Sequence, residues 1–411
     1  MPYRLKNMLR DRFGDPILQF FDSDTREYKI QPKIATERTL NEIKQKITLD
    51  NEKNITAPTL KNVEVLDTNN FIVPQWFHEG LFYGSNNANI YTSSNGKEWE
   101  LLTTVKDSQV IATLTISDTN RIIATFYNGE VWVSDESQVF GNEPTFTSSG
   151  QFSRNFGTTK HGNVIGLCTY TPKSFGYGYE AFLSTDNGET FKKIFDDDTF
   201  DTIEPLIDPT DTHLHDIEYD PYSGRIYLWN GDGPNRVLLY SDDWGMSWQT
   251  AFPRGTTQNY TQIIATENGL VLGADKEKGG VGFIELDRHK QTDVPIEIAN
   301  ITDDYWTFAP ADHRFIATRS WVDRENENYL MGFVVEDYPE NIEPDNGKSG
   351  YLAYSANGVD WSVLAKAPAM GHHTGFWNVV YGNGILLSTY KDNIESASHE
   401  LKIFRAEVDL E

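Results

Sequence analysis

From about residue 61 onward, short runs of apolar, β-branched and aromatic residues alternate with clusters of Gly, Asn, Asp and Ser, and helical periodicity is absent. One submotif recurs: an apolar strand, a polar or glycine turn, and a second apolar strand. It appears at His78-Glu79-Gly80, Asp118-Thr119-Asn120, His161-Gly162-Asn163, Asp220 to Gly224, Glu267-Asn268-Gly269, Ala311-Asp312-His313 and Gly382-Asn383-Gly384. Each turn leads into a run such as Arg121-Ile122-Ile123-Ala124-Thr125 or Ile385-Leu386-Leu387-Ser388-Thr389. Repetition every 50 or so residues, roughly, means that one antiparallel unit is arrayed, which sets the architecture before any single residue is interpreted.

A second signature punctuates the units. Ser184-Thr185-Asp186-Asn187-Gly188-Glu189-Thr190-Phe191 and Ser241-Asp242-Asp243-Trp244-Gly245-Met246-Ser247-Trp248 share Ser-x-Asp-x-Gly-x-Thr/Ser-aromatic. Versions one residue shorter run from Ser93 through Asn95 and Gly96 to Trp99, and from Ser355 through Asn357 and Gly358 to Trp361. Short oxygen-bearing side chains bond the backbone inside a tight turn, glycine supplies a positive φ, and the aromatic packs on the neighbouring unit. The carboxylate is therefore read as structural rather than catalytic.

Together these features predict an all-β fold, a β-propeller of seven four-stranded blades with strands A to D running outward from a channel. Six blades is the alternative, because the seventh unit lacks a box. The boxes fall at the C to D turns of the first, third, fourth and sixth blades, with a degenerate copy at Ser134-Asp135-Glu136 in the second. The last repeat supplies three strands, and Val63-Glu64-Val65-Leu66-Asp67 is expected to supply the fourth, closing the ring. The boxes are those of Asp-box (BNR repeat) proteins, and the chain resembles that family of β-propellers.

Residues 1–60 stand apart from the repeating domain, 61–411. Thr39 with Glu42 reads as a capping box, and Leu40, Ile43 and Ile47 share one face of a short helix. That helix is too short to stand alone. It either docks on the propeller or belongs to a stem that also buries Phe13, Ile17, Leu18, Phe20 and Phe21, with Asn54-Ile55-Thr56-Ala57-Pro58 as linker. The 411 residues carry a formal charge of −26, with +2 on residues 1–60 and −28 on the remainder. So acidic a body disfavours nucleic acid and anionic membrane surfaces. The single Cys168 sits in an apolar run and reads as a buried hydrophobe. Neither a secretory signal nor a membrane-spanning stretch is evident, which predicts assembly in a cytoplasm.

Loop lengths divide the rims. The A to B turns and boxes are short, whereas several B to C and D to A connections on the opposite rim are long, and long loops in compact domains are more often functional. That rim is expected to collect Tyr170, Phe175, Tyr177 and Tyr179, residues 192–212, the Asn230 to Pro234 turn with Asp232, and an acidic insertion from Val322 to Ser349. The sharpest constellation is Thr212-His213-Leu214-His215-Asp216, entering the fourth blade. Residues two apart on a strand share a face, so His213 and His215 point the same way. Such a pair can ligate a metal, hold a phosphate when protonated, donate to hydroxyls, or simply bond within the fold. Arg154, Trp229, Trp306, Arg319, Trp321, His372, His373 and Trp377 occupy comparable strand ends and are candidates to converge on one ligand pocket.

Sialidases share the boxes, but this chain has no Arg-Ile-Pro stretch and no arginine clamp. The stretch from His213-Leu214-His215-Asp216 through Tyr219-Asp220-Pro221, Arg225-Ile226-Tyr227 and Ser241-Asp242-Asp243-Trp244-Gly245 resembles propellers of tail-fibre and receptor-binding proteins of phages of Gram-positive bacteria. That resemblance implies a non-catalytic virion protein, commonly a trimer, whose amino-terminal stem joins other tail or baseplate proteins while the propeller binds a host cell-wall glycan such as teichoic acid. The acidic body then requires recognition through sugars or amines, or through a bridging divalent cation, the one cofactor that comes into question. The alternatives are a glycoside hydrolase on the same scaffold and a propeller used only for docking.

Overall fold

The computed structural model describes residues 58–67, 72–105, 109–153, 156–170, 179–203, 213–232, 236–252, 259–277, 280–286, 302–307, 314–335, 349–368, 373–391 and 401–410, with four short strands between residues 9 and 30. The chain divides into two units, Met1–Asn54 and Ile55–Glu411. In the first, Leu9–Arg10 pairs with Pro16–Ile17 and Gln19–Asp22 with Glu27–Ile30, hairpins that the sequence reading did not anticipate. The expected helix from Thr39 to Ile47 lies outside the described residues, as do Arg154, Phe175, Tyr177 and His372.

The second unit is almost entirely strand. Among the described residues four separate four-stranded antiparallel sheets precede one thirteen-stranded sheet, whose strands fall into three further groups joined to one another at Asp275–Ile316 and Val334–Gly375. Six of the seven groups cover 73–104, 111–147, 158–195, 213–252, 260–307 and 314–368. The last joins Thr374–Gly382, Ile385–Lys391 and Lys402–Glu407 to Lys61–Asp67, with Ile403 opposite Leu66 and Phe404 opposite Val65. One sheet thus holds both ends of the unit.

Burial explains the residue pattern. In the second blade Ile111–Ile116 and Ile122–Phe126 are buried at every position, because a neighbouring blade covers each face, whereas the first blade's outer strand Glu100–Thr104 is mostly exposed. These two inner strands therefore read as continuous apolar runs. Each junction has its own core. Ala112, Ile123 and Val131 of the second blade meet Ile165, Leu167 and Phe182 of the third, and Phe82 of the first meets Val380, Leu387 and Ile403 of the seventh. Cys168 is buried in the junction of the third and fourth blades, and burial pushes its thiol pKa well up.

The boxes tie these junctions. Ser241 Oγ donates to Asp243 Oδ1 at 2.8 Å and accepts from Gly245 N at 2.8 Å, while Ser247 N and Oγ donate to the Asp243 carboxylate at 2.8 and 2.6 Å. Asp186 is held the same way by Ser184 and Thr190, and Asn95 and Asn357 accept from the backbone of their own turns. The aromatic of each box reaches the preceding blade: Trp248 Nε1 donates to Ile194 O at 3.0 Å, and Trp99, Phe191 and Trp361 pack into the cores shared with the seventh, second and fifth blades. Gly245, at φ +80°, lies so close to the third blade that a Cβ there would come within 2.5 Å of Ile194 Cβ.

Three expectations change. Ala311-Asp312-His313 lies outside the described residues, and the strand before it, Thr302–Thr307, pairs with Gly280–Glu285 as the fifth blade's outer strand rather than opening a new blade. The sixth blade's inner strand is broken into Arg314–Ala317 and Trp321–Asp323, both paired with Asn328–Val335, and its turn is 324–327. Val322 to Ser349 is therefore not one insertion, since much of it is strand. Residues 192–212 include the strand Lys192–Phe195 and a helix, Asp197–Ile203, whose first turn is capped by Asp196 Oδ1 accepting from Thr199 N at 3.0 Å.

Trp248→Ala is expected to cost about 3–5 kcal/mol in urea unfolding, the usual penalty for deleting a buried Trp. Burial raises the Asp243 pKa, but bonds from Ser247 and Ser241 outweigh it and hold the carboxyl below its ordinary value. Its contribution is thus complete above the unfolded value near pH 4 and is lost as pH falls through the lower folded value. Asp243→Asn, whose amide nitrogen cannot accept from Ser247 Oγ, should lower the neutral-pH Tm modestly and make its fall below about pH 4 shallower.

Candidate functional site

Antiparallel succession puts the A to B turns and the boxes on one rim and the B to C and D to A connections on the other. The fifth blade departs from the expected division of loop lengths, because its long C to D connection, 286–301, joins strands at the box rim. His213–Asp220 is the fourth blade's inner strand and begins at the opposite rim. It pairs with Arg225–Gly231 with a register shift between Leu214 and Asp216, so His215 sits at a bulge. His213 and His215 nevertheless converge, with Nε2 atoms 2.9 Å apart and ring centroids 4.7 Å apart.

The surroundings orient both rings. His215 Nδ1 lies 2.7 Å from Tyr260 O. A carbonyl only accepts, so Nδ1 carries the proton and the lone pair of the neutral ring is on Nε2, facing His213. Gly231 lies opposite His213, and a Cβ there would fall 2.1 Å from His215 Cε1, so only glycine fits. Asp232 follows, with its carboxylate 3.3 Å from His213 Nε2 and 3.9 Å from His215 Nε2. Asn259 Nδ2 donates to Asp232 Oδ1 at 2.6 Å and to Asp275 Oδ2 at 2.8 Å, while Trp229 Nε1 donates to Asn259 Oδ1 at 3.4 Å. Tyr170 lies edge-on to His213 and stacks over His215, at 4.7 and 5.8 Å. Phe156 stacks on Tyr170 at 4.9 Å, and both belong to an apolar cluster with Ile316, Val334 and Trp377 that links the third, sixth and seventh blades.

Below the histidines lies a partly open cavity of about 240 Å³ whose lining includes Asp216, Glu218, Gln262, Arg319, Arg324 and Trp76. Its carboxylates are committed to neighbouring blades. Asp216 accepts from Gly157 N at 3.2 Å and Ile263 N at 2.8 Å, bridging the third and fifth blades. Glu218 accepts from Thr159 Oγ1 at 2.6 Å and Ala265 N at 2.8 Å, and pairs with Arg324. Burial pushes both carboxyls above their ordinary pKa, and the donors only partly offset it. Arg319 lies over the Trp76 ring at 5.4 Å and donates to Leu114 O at 3.2 Å, and burial lowers its pKa to about 10.

Not all of the candidates meet. His213, His215 and Asp232 form one cluster, and Trp377 enters the same apolar cluster as Tyr170. Asp216 and Arg319 line the cavity beneath it, as does Trp321, edge-on to Tyr381 at 4.9 Å. His373 contacts Trp377 at the start of the seventh blade, at 5.7 Å. Tyr179 and Trp229 are fully buried and pack blade junctions, so neither offers a face to a ligand. Trp306 lies in an outer strand, away from the strand ends at the axis. The sequence reading overlooked Phe156, Asn259, Tyr260 and Asp275. Asp275 directly follows the residue paired with Tyr260, as Asp232 follows the residue paired with His213, so comparing adjacent blades position by position would have found it.

Solved structures similar to this one include YCF48 bound to D1 peptide, at 12% identity and a TM-score of 0.51, covering 87% of this chain and 99% of that one. A streptogramin B lyase is 10% identical with a TM-score of 0.50, covering 86% and 99%. The β-propeller domain of Cps50 (Swd1) from Myceliophteria thermophila is 8% identical with a TM-score of 0.52, covering 84% and 99%. No family model matches the sequence, and no curated protein does. At such identities the likeness is one of fold: the chain folds as a β-propeller.

Glu218→Ala would leave Arg324 buried without its carboxylate, and about 3–5 kcal/mol of stability should be lost in chemical denaturation. A loss below about 1 kcal/mol would mean that the pair does not hold the channel together.

Proposed function

We propose that this protein is a non-catalytic receptor-binding component of a phage tail or baseplate, and that the rim opposite the boxes recognises a host cell-wall glycopolymer. The propeller fold is consistent with a binding or docking protein. The observation that carries the reading is where the carboxylates are used. Those of the boxes are bonded to their own turns, and Asp216 and Glu218 are bonded to neighbouring blades. Glycoside hydrolysis needs two carboxyl groups facing each other across a substrate. Asp216 and Glu218 instead lie on one strand, above a cavity smaller than most ligand pockets.

The box-opposed rim instead offers the partly exposed Asp232 carboxylate and Tyr170 ring, backed by the buried His213, His215 and Phe156. A carboxylate accepts from sugar hydroxyls, aromatic faces pack on apolar sugar faces, and the imidazoles behind them hold Asp232 and Tyr170 in place. The −28 charge of residues 61–411 opposes direct contact with a polyphosphate, so recognition proceeds through attached sugars or amines, or through a divalent cation. In this reading residues 1–60 attach the protein to other virion proteins, with a homotrimer as the assembled form.

The full chain should sediment with Gram-positive cell walls, lose most of that binding when teichoic acid is stripped, and release no soluble sugar. The double variant His213→Ala and His215→Ala should bind at least about 10-fold more weakly with an unchanged circular dichroism spectrum, since about 1.4 kcal/mol of lost contact suffices for that factor. Release of reducing sugar would favour the hydrolase instead, and binding indifferent to stripping would remove teichoic acid as the receptor.

A further inference from the structure

The arrangement of His213, His215 and Asp232 has a property that glycan recognition does not require. Three potential ligand atoms, two imidazole nitrogens from one strand and one carboxylate oxygen from the residue that follows its neighbouring strand, lie within 4.8 Å of one another. We infer that they form a binding site for a divalent first-row transition ion of the zinc class, with a coordination position left open at the box-opposed rim. The inference concerns the ion alone and holds whether or not the ligand is a glycan.

Geometry supports it first. Nitrogen and oxygen ligands about 2.0–2.1 Å from a tetrahedral ion lie about 3.3 Å from each other. The two Nε2 atoms are 2.9 Å apart, and Asp232 Oδ2 is 3.3 Å from His213 Nε2. The longer separation, 3.9 Å, is from His215 Nε2 to the other carboxylate oxygen, Asp232 Oδ1. Opening the rings by a few tenths of an ångström and swinging the partly exposed Asp232 carboxylate toward His215 bring the three ligands to these separations.

The outer contacts of His215 and Asp232 are of the kind that such a site needs. A ligating histidine generally donates its other nitrogen to a carbonyl or carboxylate, which aims the coordinating lone pair. His215 does so to Tyr260 O, and its Nε2 faces the point shared with His213. Asp232 Oδ1 accepts from Asn259, which leaves Oδ2, the oxygen nearer His213, turned toward the same point. Asn259 is fixed in turn by Asp275 and Trp229. The rings are almost wholly buried, at 5% and 0% side-chain exposure, whereas Asp232 is 34% exposed, so a fourth ligand reaches the ion from the Asp232 side. Two imidazoles select zinc-class ions over magnesium or calcium, which prefer all-oxygen sets.

The test uses the full chain without an affinity tag, freed of metal by chelator dialysis and titrated calorimetrically with zinc chloride. One equivalent should bind saturably, while magnesium and calcium chloride give no comparable heat. Asp232→Asn and His213→Gln should each weaken zinc binding by about 100-fold or more, and Asn259→Ala, which touches no ion, by about 10- to 100-fold. Cobalt substitution should show the intense visible bands of a tetrahedral centre, absent from His213→Gln. If His213→Gln does not fold, the partly exposed Asp232→Asn decides. Absence of saturable zinc binding to the wild-type chain, or zinc binding that Asp232→Asn leaves unchanged in a folded protein, would overturn the inference.

Discussion

Everything in the propeller depends on burying both faces of every sheet. A sheet whose inner strands are apolar on both faces, such as the one built on Ile111–Ile116 and Ile122–Phe126, cannot stand at the end of a row. A ring meets that requirement because each blade then has two neighbours. The last junction is made by pairing Lys402–Glu407 with Lys61–Asp67, so closure ties together segments more than three hundred residues apart in sequence, as Asn62 bonded to Glu407 illustrates with a separation of 345. Bringing such distant segments together carries a loop-closure cost that rises slowly with length, and contiguous burial around the ring offsets it.

Closure also explains why so many charged groups are structural. Near the axis the inner strands converge, and their edges need polar partners from neighbouring blades. Gln75 serves Leu114 N, Asp216 serves Gly157 and Ile263, and Glu218 serves Thr159, Ala265 and Arg324. The fourth blade's inner strand thus does two things along its length. Its rim end holds the buried His213 and His215 against Asp232, and its middle bonds to three other blades. A rim cluster set on so constrained a strand is held in place before any ligand arrives, which lowers the ordering cost of binding.

The architecture was largely legible because its signals are local. Box residues bond within their own turns, and the strand runs are contiguous, so both survive in sequence. The sixth blade was misread because Arg319 and its neighbours break the inner strand, and the true turn at 324–327 is charged rather than glycine-rich. The helix Asp197–Ile203 is a two-turn element too short to show a period. At the rim, the spacing of His213 and His215 was readable, and so was Asp232 in a Gly-rich turn. The support from Asn259, Tyr260 and Asp275 was not, because those bonds cross between blades. Tyr179 and Trp229 were overvalued because an aromatic residue near a loop looks the same in sequence whether it faces a ligand or a blade junction.

The central claim is that one rim is a set of inert staples and the other is the binding surface. Hydrogen–deuterium exchange of the full chain with and without stripped and intact wall glycopolymer tests it most directly. The account predicts ligand-dependent protection at residues 213–215, 231–232 and 259–260, with no change at the box turns 94–99, 185–191, 242–248 and 356–361. Protection confined to those turns would contradict it.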